Sequence, residues 1–265
     1  MVVDKVGAIL RRDLLTSLRY RAALAVSALA AVAEIAAFYF LARAVGPGFR
    51  PDGIAYYPFL LVGTGLYAFL VMGINTFLGT VQESQQNGTL EVLMTTATPP
   101  ATLVFLSALS SFAGKTITLF LYIAGGLLLF RVPLPRPNVP GCLLVFLLSL
   151  GIAASIGVIA AALQLAIQKG SAVVWLLGSG AWFLTGTLFP VSALPPALRS
   201  ISALIPLTHA LDAMRLALLQ GAPFRILNHE IAILSAFCVV MLPLSLVVFS
   251  YTLRQAQRNG TLSFY

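Results

Sequence analysis

The chain has 265 residues, of which 59% are hydrophobic and only 9% are charged, and sixteen lysines and arginines against eight acids give a net charge of +8. One core solvated by water cannot hide that much apolar surface, so lipid must be part of the solvent. The basic residues stand singly between apolar runs, which is typical of charges flanking membrane spans and argues against a nucleic-acid partner.

Residues 1–20 predict an amphipathic helix lying along the membrane interface. Apolar residues recur there at three- and four-residue spacing, while Lys5, Arg12 and Arg19 fall elsewhere on the helical wheel. An irregular basic tail is the simpler alternative. A secretory signal is a second one, but the apolar run that follows extends to Leu41, which is longer than the apolar region of a signal.

Six apolar runs are long enough to cross a bilayer, which takes roughly 20 residues per helix. The predicted spans are residues 22–42, 57–80, 114–130, 141–167, 171–189 and 231–253. Residues 1–265 are therefore predicted to form a single all-α polytopic membrane domain. Six spans put both termini on one side of the membrane, which is expected to be the plasma (inner) membrane. The basic residues before the first span place that side in the cytoplasm.

The loop after the second predicted span, residues 83–98, is acidic although it is expected to lie inside. It carries Glu83 and Glu91 and no base, whereas cytoplasmic loops usually carry an excess of lysine and arginine. Asn87-Gly88 is a turn or helix-start signal, and apolar residues follow it. A short acidic and apolar helix at the membrane surface suits docking into a groove of a soluble partner, and a solvated connector is the alternative.

Residues 190–226 are interrupted by prolines at positions 190, 195, 196 and 206. These prolines rule out one continuous helix and predict short, broken helices before the last span. Asp212 and Arg215 are three residues apart and are expected to pair locally.

Taken together, the two interrupted segments resemble those of the type-2 ABC transporter permeases. The Gly-Thr-Leu-Glu sequence at residues 88–91 is similar to the cytosolic coupling region of that family, and the proline-broken segment is similar to its re-entrant extracellular helices. The resemblance implies two permease chains, the second a copy or a homologue, each binding one nucleotide-binding ATPase subunit. The implied ATPase-coupling residues are Glu83, Gly88, Thr89, Leu90, Glu91, Leu93 and Met94. The implied re-entrant residues include Pro190, Pro195, Pro206 and Arg215.

The chain is expected to have no catalytic, cofactor-binding or metal site of its own. The Gly-Lys-Thr sequence at residues 114–116 resembles the end of a phosphate-binding loop, but Leu109 stands where that loop needs a glycine. His209 and His229, the two histidines, do not indicate a metal centre. ATP and Mg²⁺ are therefore expected on the partner subunit.

Glu34 lies near the middle of the first predicted span, where an ionised carboxylate is costly and usually faces a cavity or a partner. A role in translocation and a role in packing are both open. Thr64 and Asn75 are the other polar residues expected along the pathway, which is otherwise apolar.

The predicted function is that of a non-catalytic permease subunit of an exporter for an amphipathic, lipid-linked or drug-like substrate. An ion-coupled carrier would need more buried ionisable groups, and an intramembrane enzyme would need a cluster of catalytic groups.

Overall fold

The computed structural model describes residues 21–86, 116, 118–132, 136–167, 180 and 182–259, and this part of the chain contains helices and no strand. The helices are α1 (Arg21–Val45), α2 (Tyr56–Gln86), α3 (Thr118–Leu129), α4 (Val139–Ile167), α5 (Pro196–Ala203), α6 (Pro206–Leu219) and α7 (Phe224–Asn259). Single 3₁₀ turns occur at Pro51–Gly53 and Val191–Ala193.

Four of these helices, α1, α2, α4 and α7, are long and apolar enough to cross a membrane. They correspond to the predicted spans 22–42, 57–80, 141–167 and 231–253. Helices α5 and α6 form a pair bent by 86°, which fits either a broken span or a re-entrant loop. The described residues are therefore all-helical and consistent with a multi-pass membrane protein, whereas a count of six spans stays a prediction.

The remaining predicted segments are described only in part. The span at 114–130 includes α3, but the span at 171–189 lies mostly outside the described residues, and positions 185–189 form turns and bends where helix was expected. The interfacial helix at 1–20 lies outside them entirely. The coupling loop at 83–98 begins inside the described part, because α2 continues to Gln86.

Helix α4 is the centre of the packing, since α2, α6 and α7 all contact it. Small residues permit this close approach. A Cβ atom at Gly157 would lie 2.8 Å from the Phe77 ring of α2, and one at Gly151 would lie 2.8 Å from Cys238 Sγ of α7. Small residues at such positions let helices in lipid approach closely enough for extensive van der Waals contact.

Helix α1 lies at the periphery. Only 6% of its apolar stretch is buried, against 72% for α2. Ile35 is its buried contact with α2, and the ring of Tyr39 stacks on Phe130 at 3.9 Å and meets Tyr57 edge-on. The rest of its apolar surface is left for lipid or another subunit.

One end of the molecule carries the α5–α6 pair and is called the hairpin end here. Asn138 holds this end together: its Oδ1 accepts from the Gly141 N–H in the first turn of α4, and its Nδ2 donates to the Ala222 carbonyl between α6 and α7. Helices α2, α4 and α7 all begin at the hairpin end. Their carboxyl termini consequently lie together at the opposite end.

Helix α7 begins at Phe224, whereas hydropathy predicts a start at residue 231. The sequence between them is polar, with Asn228, His229 and Glu230. Leu227 is fully buried against Ala217 of α6, so tertiary packing extends the helix through residues that are too polar to be predicted as membrane-spanning.

Candidate functional site

A cavity of about 490 Å³, which is partly open to its surroundings, lies between α1 and α2 and is also lined by Trp182. Glu34, Thr64 and Asn75, the three polar residues expected along a pathway, all line it. Positions 64, 68, 71 and 75 recur at three- and four-residue spacing, so one stripe of α2 forms a wall of roughly 16 Å. The cavity therefore lies deep within the apolar stretch of both helices.

The polar groups of the cavity differ in their surroundings. Thr64 is buried, and its hydroxyl donates to the Leu60 carbonyl at 2.8 Å and lies 3.4 Å from the Tyr122 hydroxyl of α3. Glu34 and Asn75 are exposed. Within the described part of the chain, Glu34 makes neither a hydrogen bond nor an ion pair. The cavity thus presents one carboxylate that no described residue neutralises.

Arg215 joins three segments at the hairpin end. Its side chain is almost fully buried, with 3% exposed. Nη1 donates to the Gly186 carbonyl at 2.9 Å, and Nη2 donates to the carbonyls of Thr187 and Phe59 at 3.1 and 3.2 Å. The guanidinium also lies over the Phe59 ring, 3.4 Å from its centroid. A buried cation held by carbonyl dipoles and a ring face fixes α6, α2 and residues 186–187 relative to one another.

The local pair expected between Asp212 and Arg215 is present, at 3.8 Å between Oδ1 and Nη1. It is the weaker part of the arrangement, because the carbonyl contacts are shorter and more numerous. Sequence reasoning missed those contacts. The signal available was an arginine standing among Met214, Leu216 and Ala217 on a helix too apolar for a solvated cation.

The neighbouring backbone is shaped to accept Arg215. A Cβ atom at Gly63 would lie 2.6 Å from the Thr187 carbonyl oxygen and would also collide with the guanidinium. Ser202 of α5 donates to the carbonyl of Leu184, which precedes the turn. Gly63 adjoins Thr64 in sequence, so this junction sits beside the cavity.

His209 and Glu230 form a second contact that sequence reasoning did not predict. Nδ1 of His209 lies 2.6 Å from the Glu230 carboxylate of α7, and Nε2 lies 2.9 Å from the Ala203 carbonyl of α5. A carbonyl only accepts, so Nε2 is a donor and the pair shares one further proton between Nδ1 and the carboxylate. His209 lies outside the four long helices, and the hydrogen bond to Glu230 raises its pKa.

The other predicted site residues are only partly described. Pro195 directly precedes α5, and Pro206 is the first residue of α6. Pro190 precedes the 3₁₀ turn at Val191–Ala193. Glu83 is exposed on the last turn of α2. Six expected coupling residues lie outside the described ranges: Gly88, Thr89, Leu90, Glu91, Leu93 and Met94.

Comparison with known proteins identifies the family. Residues 47–247 match the family model described as ABC-2 family transporter protein, which covers α2 to most of α7. No curated protein matches the chain. The matched region contains the α2 wall of the cavity, the hairpin end and the Arg215 junction. The chain therefore belongs to the ABC-2 family of transporter proteins and is a multi-pass membrane permease of the ABC-2 type.

Proposed function

We propose that this chain is the permease subunit of an ATP-driven exporter and moves an amphipathic, lipid-linked or drug-like substrate out of the cytoplasm. Two permease chains, identical or homologous, pack together, and each binds an ATPase subunit that holds ATP and Mg²⁺. The permease itself performs no catalysis. Membership of the ABC-2 family supports an association with an ABC ATPase in general terms.

The observation that carries this proposal is that α2, among the described helices, joins the Arg215 junction, the cavity and the start of the expected coupling segment. Its 31 residues extend over about 46 Å, more than the roughly 30 Å of bilayer hydrocarbon. Its amino end meets Arg215 through Phe59, its middle lines the cavity, and its carboxyl end carries Glu83.

Force applied at the carboxyl end of α2 would therefore reach the cavity along one continuous helix. ATP binding brings the partner ATPases together, and contact with residues 83–94, above all Glu83 and Glu91, tilts or shifts α2. Leu90, Leu93 and Met94 pack into the groove of the partner. The nucleotide favours one arrangement of the spans only to the extent that the partner binds that arrangement more tightly.

In this proposal both termini and the carboxyl ends of α2 and α7 face the cytoplasm, and the hairpin end faces outward. The prolines of the α5–α6 pair make that end a re-entrant segment that closes the route from the cavity. A topology reporter fused after Tyr265 is expected to read as cytoplasmic. A periplasmic or extracellular reading would place the coupling segment on the wrong side for an ATPase.

The direct test is purification from the native membrane, followed by transport in inside-out vesicles. An ABC ATPase is expected to co-purify, and accumulation of a fluorescent amphiphile is expected to require ATP and to survive the collapse of ion gradients. Transport that needs an ion gradient instead would indicate an ion-coupled carrier. Chemical conversion of the probe by the chain alone would indicate an intramembrane enzyme.

A further inference from the structure

We infer that the cavity between α1 and α2 binds an organic cation with an apolar body. That this cation is the exported substrate rests on the proposed function. Its volume of about 490 Å³ falls within the roughly 300–1,000 Å³ usual for small-molecule sites. Such sites combine apolar walls with a few polar groups that select the ligand. The chemistry of the lining therefore decides which ligand fits.

The walls of this cavity favour a positive charge. Phe38, Tyr67 and Trp182 contribute aromatic rings, and Val71 and Met72 add apolar surface. The described residues that line it include one carboxylate and no lysine, arginine or histidine. Aromatic faces attract cations through the negative charge of the ring face, and they do so most strongly where water is displaced.

Glu34 supplies the fixed charge of the site. It lies near the middle of the apolar stretch Val26–Val45, where a charged group without a counter-charge is costly. No described residue donates to it or pairs with it. A bound cation would supply that counter-charge, whereas an anion would be repelled by the carboxylate.

Phe38 lies one helical turn from Glu34 on α1, so both face the α2 wall together. A ligand seated there has its charge beside Glu34 and its apolar body against Val71, Met72 and the rings. The class of ligand is consequently a lipophilic organic cation, such as a quaternary ammonium or phosphonium ion. Neutral or anionic amphiphiles of the same size would lose the electrostatic part of the binding.

The experiment uses two isosteric ions of opposite charge, tetraphenylphosphonium and tetraphenylborate, on the full chain in lipid nanodiscs. Binding to empty nanodiscs is subtracted for each ion. The cation is expected to bind the wild-type chain at least about tenfold more tightly than the anion, a ratio typical of one partly desolvated charge interaction. Equal binding of the two ions would overturn the inference without any variant.

Substitutions then locate the charge. Glu34→Gln is expected to remove most of the preference for the cation, and Glu34→Asp, which keeps the charge, to retain part of it. The matched control is Asp52→Asn, which removes an exposed carboxylate at the hairpin end, outside the cavity, and places asparagine at a left-handed position (φ 51°) that it tolerates. Unchanged cation binding in Glu34→Gln, or an equal loss in Asp52→Asn, would refute the site.

These results are separable from the test of the proposed function. If the ATPase co-purifies and ATP drives transport while tetraphenylphosphonium does not bind, the site is refuted and the exporter remains. If the cation binds through Glu34 and no ATPase associates, the exporter is refuted and the site remains. Size-exclusion profiles of each variant identify any loss of binding caused by misfolding or by a changed association between chains.

Discussion

Replacing Gly63 by alanine tests how tightly the Arg215 junction is packed. In a helix interior this substitution alone stabilises a protein by about 1 kcal/mol. Here the added methyl group would lie 2.6 Å from the Thr187 oxygen, well inside the roughly 3.3 Å of a close C···O contact. Overpacking of this kind costs about 1–3 kcal/mol.

The same methyl group also displaces the guanidinium from the carbonyls of Thr187 and Phe59. Hydrogen bonds from a charged donor contribute about 1.5–3 kcal/mol each. Partial loss of these contacts outweighs the gain in helix propensity. We expect Gly63→Ala to lower the free energy of unfolding by about 2 kcal/mol.

Gly79 offers a matched control on the same helix. A Cβ atom there meets nothing within 4 Å, so Gly79→Ala is expected to be neutral or to stabilise by up to about 1 kcal/mol. Unfolding in mixed micelles, followed by tryptophan fluorescence, measures both variants. The difference between them is expected to be about 3 kcal/mol, and equal stabilities would refute the packing argument.

A double-mutant cycle assigns the cost to its partner. Arg215→Met removes the guanidinium while keeping an apolar stem, so Gly63→Ala should cost at least about 1 kcal/mol less in that background. Additive effects would instead place the whole clash on the Thr187 carbonyl.

Four further predictions concern individual residues. Asn138→Ala should lower stability by about 1 kcal/mol or more, because it removes both the cap of α4 and the hydrogen bond to the Ala222 carbonyl. Asn138→Asp keeps the cap and should cost less, so equal losses of stability in a melting assay would contradict this prediction. Arg131 adopts a left-handed conformation (φ 48°) at the end of α3, so Arg131→Gly should raise the free energy of unfolding by about 1 kcal/mol. A lower free energy of unfolding would show that the Arg131 side chain contributes more than its backbone strain costs. Because Glu230 raises the pKa of His209, their contact should stabilise the fold at low pH, and this stabilisation should be lost as pH rises through the raised pKa. Hydrogen exchange of the α6 amides should then become faster with rising pH, and Glu230→Gln should weaken this pH dependence. Glu91→Gln should reduce ATP-driven transport and co-purification of the ATPase by about tenfold if one charged contact is lost, and full activity would remove Glu91 from the proposed docking surface.

The long helices could be predicted from the sequence because hydropathy and length decide them. The predicted bounds 22–42, 57–80 and 141–167 lie within three residues of those of α1, α2 and α4, except that α2 continues six residues further, to Gln86. The start of α7 could not be predicted in this way. Its first turns are polar, and they are helical because Leu227 is buried against α6.

Three of the nine described residues that line the cavity could be named from the sequence, but the cavity itself could not be predicted. Glu34, Thr64 and Asn75 stand out as polar groups in apolar runs, yet only packing shows that α1 and α2 bring them together. The Arg215 junction was beyond sequence reasoning. Its partners lie 28, 29 and 156 residues away, and a backbone carbonyl leaves no mark in a single sequence.

The planar guanidinium of Arg215 has a consequence for any opening movement at the hairpin end. One rigid group holds residues 186–187 and Phe59 at once, so sliding the chain past α2 by a fraction of an ångström strains all three hydrogen bonds together. The three hydrogen bonds of the Arg215 junction are therefore expected to break together rather than one after another. In the proposed exporter, small thermal fluctuations would leave the hairpin end closed, and only a movement large enough to break all three hydrogen bonds would open it.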